Sequence, residues 1–172
     1  MAASLFLICS LHAMVFGFFQ IPDNFLNVTF HSVLFYLKVL SYSVILGTSC
    51  FHFIILRHFS IKSTLMAGLL CNMLGMSLIW LSLSIGENLA LVVLSLIFVS
   101  FALISVLNCL ITYIIIEFPE NTGVAIMALF AFGNGGFLAS NIFFNVFRAK
   151  EFHANFFLFT LILLAFAIFF IA

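Results

Sequence analysis

The chain is expected to be an all-α membrane protein of six transmembrane helices, and three observations predict that class. Six long apolar stretches separated by short polar breaks occupy nearly all of its 172 residues. Hydrophobic residues make up 66% of the chain and charged residues only 6%. A hydrocarbon core about 30 Å thick takes about 20 apolar residues in helical form, and each stretch meets or approaches that length. Because the bilayer offers backbone groups no water, stretches this long must satisfy their amides internally as helices. No soluble domain is left over, so residues 1–172 read as a single six-helix transmembrane domain.

The first span is expected at residues 3–19. It has no Lys or Arg before its apolar run, as a cleavable leader would, and so reads as the first membrane helix. Ile21-Pro22-Asp23-Asn24 breaks the chain before the second span, 32–56, which closes at Arg57-His58-Phe59-Ser60. The third span, 63–85, ends at Gly86-Glu87-Asn88, and the fourth, 89–116, ends at Phe118-Pro119-Glu120-Asn121. The fifth covers 122–147, stops at Arg148-Ala149-Lys150-Glu151, and is followed by the sixth, 152–172. Connections this short force antiparallel neighbours and hence a compact bundle. Arg57 and Lys62 fall on one side of the membrane and Arg148 and Lys150 on the other, so the basic residues do not set an orientation.

Composition also removes whole classes of function. Five basic and five acidic residues balance to zero, which leaves no electrostatic footprint for nucleic acid. The four cysteines, Cys9, Cys50, Cys71 and Cys109, fall one to a segment without the paired spacing of a metal or redox motif, and read as small apolar packing residues. The carboxylates Asp23, Glu87, Glu117, Glu120 and Glu151 all lie at or near segment ends, so none is paired within the membrane for acid and base roles. With no nucleophile, metal or phosphate-binding motif, the chain is not expected to be an enzyme, and no cofactor or metal is called for. The 26 phenylalanines suit lipid-facing helices and do not by themselves indicate an aromatic substrate.

Polar side chains inside such helices are expensive and mark where function is to be sought. On the second segment Lys38, Ser41, Tyr42, Ser49 and His52 fall within about 60° of a common line at 100° per residue, interrupted by Ile45. Two readings of Lys38 stand side by side: its stem snorkels to the interface, or its ammonium lines a water-filled cavity. His52 facing such a cavity would titrate near neutral pH; packed, it is a hydrogen-bonded core residue. On the fourth segment Ser105, Asn108 and Thr112 share a line, and on the fifth Asn134, Asn141 and Asn145 share another. Both lines suit hydrogen bonds between helices or contact with a ligand. Gly133, Gly136 and Ser140 add a small-residue patch to the fifth segment that permits close backbone approach or a bend.

The most specific stretch runs from Asn108 to Gly123, NCLITYIIIEFPENTG. Pro119 lacks an amide hydrogen and restrains Phe118 from helical geometry, which stops the fourth helix. Asn121 or Thr122 can then cap the fifth, with Glu120 near its positive end. The order Asn108, Glu117, Phe118-Pro119 and Gly123, followed by Ala125 and Ala128, resembles the join between the tenth and eleventh helices of the major facilitator superfamily. Within that superfamily it is most similar to the bicyclomycin and chloramphenicol resistance branch of drug/proton antiporters. Upstream, residues 47–62 with 65–82 look like that branch's eighth helix, basic loop and ninth helix.

The resemblance implies the C-terminal six-helix half of a twelve-helix transporter, with both termini in the cytoplasm of a bacterial inner membrane. It implies multidrug efflux against protons, a second six-helix half supplied by another copy or a separate chain, and a cavity between the halves. Residues of proton coupling belong to the other half, so none carries over. Lys38, Ser41, Tyr42, Ser49, His52, Asn108, Thr112, Asn134 and Asn141 are the candidate cavity-lining residues, and Glu117, Phe118, Pro119 and Gly123 the structural motif. The alternative is a non-transporting membrane scaffold or assembly subunit, or an inactive transporter fragment, whose polar lines serve packing alone.

Replacing Pro119 by Ala is expected to lengthen the fourth helix and disturb the hairpin, lowering the yield of folded protein in size-exclusion chromatography more than a substitution of Glu87 does. Equal yields would mean that the proline is not structural.

Overall fold

The computed structural model describes residues 8–10, 13, 32–85, 88–146, 162 and 165, and no strand occurs among them. Four helices follow in order: α1 (Leu34–His58), α2 (Ile61–Ile85), α3 (Leu89–Glu117) and α4 (Thr122–Val146). Their ends fall within two residues of the second to fifth spans. The expected first and sixth spans lie outside the described residues, except for residues 8–10, 13, 162 and 165, which are helical. The windows Ile61–Ser82, Leu89–Glu117 and Thr122–Ala139 are long and apolar enough to cross a membrane. The 25 residues of α1 reach about 37 Å, also enough for a crossing, on a more polar surface.

Local chemistry explains each boundary. Between α1 and α2 only Phe59 and Ser60 intervene, and Ser60 caps α2 by accepting from the Ser63 amide at 3.1 Å. Asn88 caps α3 in the same way, its side-chain oxygen accepting from the Ala90 amide at 2.9 Å. At the far end of α3 the Phe118 amide still donates to Ile114, and Pro119 then prevents another turn. Neither Asn121 nor Thr122 makes the expected side-chain cap. Instead the Thr122 hydroxyl reaches back to the carbonyls of Phe118 at 2.7 Å and Pro119 at 3.2 Å, lashing the start of α4 to the end of α3.

The core is organised around α3. On α2 the buried positions Leu65, Leu69, Asn72, Met76, Ile79 and Ser82 recur every three or four residues, as do Val92, Leu96, Val99, Ala102, Val106 and Cys109 on α3. A seven-residue repeat on both partners keeps one seam in contact along the whole hairpin. Gly68 and Gly75, seven apart on α2, bring the two backbones together. A methyl group at Gly75 would lie 2.6 Å from Val99 Cγ2 and 3.1 Å from the Ser95 carbonyl, and one at Gly68 2.8 Å from Val106 Cγ2. In lipid, where apolar surface has no reason to hide from its solvent, such close approach is a main source of helix association.

Although joined to α2 by two residues, α1 packs chiefly on α3, to which it runs parallel, and only slightly on α2. The α2 seam is already occupied by α3, so α1 takes the other side of the hub. Contact between α4 and α3 is slight. Instead α4 meets the first segment: Cys9 Sγ donates to the Leu129 carbonyl at 3.4 Å, and the Ser10 carbonyl lies where a side chain at Gly136 would be. The small-residue patch thus admits a neighbouring backbone. Val124, Met127, Leu138 and Ile142 remain uncovered along α4.

Gly75→Leu is expected to cost about 1–3 kcal/mol by overpacking the seam, read as lost thermal stability in detergent. Gly47→Ala, at a site with nothing within 4 Å, serves as the control and should leave stability unchanged or higher. Equal losses would remove the seam from its central place.

Candidate functional site

The polar line of α1 is divided by the way the helix packs. At 100° per residue, Leu37, Thr48, Ser41 and His52 fall in one sector of about 60°, and all four are buried. Lys38, Ser49 and Tyr42 fall in the next sector, and all three are exposed. Exposure here means not covered by this chain; for a membrane helix the neighbour is then lipid or another protein. The line predicted from the sequence therefore straddles the edge of the packed face, with one edge inside the bundle and one outside.

Within the buried sector the chemistry is uneven. Ser41 and Ser100 share a hydrogen bond of 2.6 Å between α1 and α3. Both hydroxyls are almost fully covered, so this bond is part of the α1–α3 contact. His52, 5% exposed, has no hydrogen-bond partner at either ring nitrogen. It lies eleven residues beyond Ser41, about 16 Å further along the helix, level with the C-terminal third of α3. An imidazole left dry at both nitrogens carries a desolvation cost of about 1–3 kcal/mol per group. Packing alone does not call for that residue. In the exposed sector Lys38 and Tyr42 stand beside Ser49, whose hydroxyl donates to its own helix at the Ile45 carbonyl, 2.8 Å away. Lys38 stands four residues into α1, about 6 Å from its start, within snorkelling reach of an interface.

Asn108 and Thr112 are half-buried on α3, and the Thr112 hydroxyl is spent on the Asn108 carbonyl at 2.8 Å. Ser105, on the same line, is fully buried with its hydroxyl unpartnered. Asn134 is exposed on α4 and borders an open-sided cavity of about 170 Å³ shared with Cys9, Ala13, Leu103, Leu107 and Phe137. The side chains of Asn141, Asn145 and Ser140 lie outside the described residues, as does His12. In the hairpin motif Glu117, Pro119 and Gly123 are exposed and Phe118 is half-buried. A side chain at Gly123 would meet nothing within 4 Å, so that glycine makes no close contact within this chain.

The structure does not bring these residues to one point. It distributes them over three places: the α1–α3 seam, the outer edge of α1, and the cavity beside α4. Four positions were not evident from the line of polar residues. Thr48 belongs to the buried sector of α1, Asn72 is fully buried in α2, and Gly68 with Gly75 makes the hairpin seam. The seven-residue spacing of Gly68, Gly75 and Ser82 was the readable signal for the seam. Among the described residues no group of His, Cys, Asp and Glu could hold a metal ion.

Ser41→Ala is expected to cost about 1 kcal/mol by stranding Ser100, and Ser100→Ala a similar amount, whereas the double variant should cost clearly less than their sum. A double-mutant cycle by thermal or denaturant unfolding in micelles checks the coupling, and strict additivity would mean that the bond contributes nothing.

No protein family model, no curated protein and no solved structure matches this chain.

Proposed function

We propose that this chain is one six-helix half of a two-half secondary transporter that moves a small molecule across a bacterial cytoplasmic membrane, in the manner of proton-coupled drug efflux. The observation that carries this reading is the uncovered polar edge of α1. Lys38, Tyr42 and Ser49 stand outside the core on a helix whose adjoining sector, through Ser41 and His52, is packed inside it. Facing a second bundle, these groups would line a water-filled cavity between halves. The second half would be another copy of this chain or a separate six-helix protein. The Glu117-Phe118-Pro119 hairpin, with its resemblance to drug/proton antiporters, supports the same assignment.

A non-transporting assembly subunit is the second reading. Its support is that several polar and small residues are already committed to packing: Ser41 with Ser100, and Gly68 and Gly75 with α3. In that case the edge of α1 would be a protein contact without water.

One experiment separates the two. In a background with the exposed Cys50 replaced by Ser, Lys38→Cys and Tyr42→Cys are introduced one at a time. Each is treated with a membrane-impermeant thiol reagent in the native membrane, alongside native mass spectrometry of the purified complex. A dimer or hetero-complex whose cysteines react is the expected result. Complete protection in the assembled protein favours the assembly subunit, and a monomer removes the two-half reading.

A further inference from the structure

We propose that His52 is an acid-operated latch between α1 and α3: as a neutral ring it closes the C-terminal half of α1 onto α3, and on taking a proton it releases that half. The latch works inside one bundle, so it stands whether or not the chain transports anything. His52 is 5% exposed, and neither ring nitrogen has a hydrogen-bond partner. The parallel register fixed by the bond between Ser41 and Ser100 brings it level with Ile111 on α3. Leu107 and Ile114, one turn to either side of Ile111, are apolar as well. A neutral ring in that place forgoes hydrogen bonds; an imidazolium would lack a counter-ion too.

The charged groups around the latch do not supply that counter-ion. On α3 the ionisable side chains of this half are Cys109 and Tyr113, neither a carboxylate, and Glu117, which is exposed and about 9 Å past the level of Ile111. From α2 comes Lys62, and from α1 itself Arg57 and His58, all exposed. Lys62 and Arg57 oppose a further positive charge. Two features keep the release local. His52 is six residues from the end of α1, about 9 Å from the turn, so a short parting of that end brings water to the ring. The Ser41 to Ser100 bond, about 16 Å away along α1, holds the other half in place. In the open form the ring takes its proton from water as any exposed imidazole does, at about pH 6.5. Because the closed form takes none, the ratio of open to closed rises roughly tenfold from about pH 7.5 to about pH 5.5.

The test is pulsed electron spin resonance between pairs of nitroxide labels on the full chain in nanodiscs, at both pH values. Ile54→Cys with Ile116→Cys, both exposed positions, reports the latch end, and Phe35→Cys with Leu94→Cys reports the end held by Ser41. Cys50 and Cys71 are replaced by Ser, while the buried Cys9 and Cys109 lie out of the label's reach. At the latch end a longer distance is expected, its share relative to the short one growing about tenfold on acidification, with the other end unchanged. His52→Leu should abolish that growth, with His52→Gln taking its place if the first variant does not fold. His58→Gln, at an exposed imidazole on the same helix, should leave the growth intact. The latch is overturned by distances that ignore pH, by a change that survives His52→Leu or His52→Gln, by one that His58→Gln removes, or by an equal change at both ends.

Discussion

Everything in this fold leans on the close approach of α2 and α3 at Gly68 and Gly75. Helices in lipid cannot draw on the hydrophobic effect to associate, so contact must come from packing and hydrogen bonds. Two glycines seven residues apart remove the side chains that would hold the axes apart, and Val99 and Val106 fill the space. Because that seam runs along the hairpin, α3 becomes the buried centre, with Val92, Ala102, Cys109 and Ile114 all fully covered. The flanking helices then have only the remaining faces of α3 to use.

That constraint decides where the polar groups go. With the α2 seam taken, α1 docks in parallel on α3 and turns Ser41, Thr48 and His52 inward. The rotation that makes the Ser41 to Ser100 bond leaves Lys38 and Tyr42 outside. The functional reading grows from that single rotation. Had α1 turned by about 40° one way, Ser41 and His52 would stand exposed with the rest of the line; turned as far the other way, it would bury Lys38, and either outcome would carry a different argument.

The slight contact of α4 with α3 has its own consequence. A helix held by the Thr122 lash at one end and by the first segment at Gly133 and Gly136 leaves an open gap between its middle and α3 rather than a continuous seam. The cavity with Asn134 is that gap. A uniformly packed α4 would have filled it with Leu103 and Leu107, as α2 fills its own contact with Met76 and Ile79.

The helical state, the apolar length that suits a membrane and the limits of the four described helices were legible in the sequence. Apolar length, Pro119, Ser60 and Asn88 act locally, and local physics is printed in the order of residues. The stripe on α1 was legible as a line, since a helix has one period. Which of its two edges is covered was not, because that depends on the face α3 offers after α2 has taken its share. The same reason hid the α4 cavity: its walls come from three separate helices, and only their distances create it. Sequence by itself determined that this chain is a set of apolar helices with a few costly polar groups; the tertiary structure alone decided which of those groups are buried, which stand at an edge, and which face an empty space.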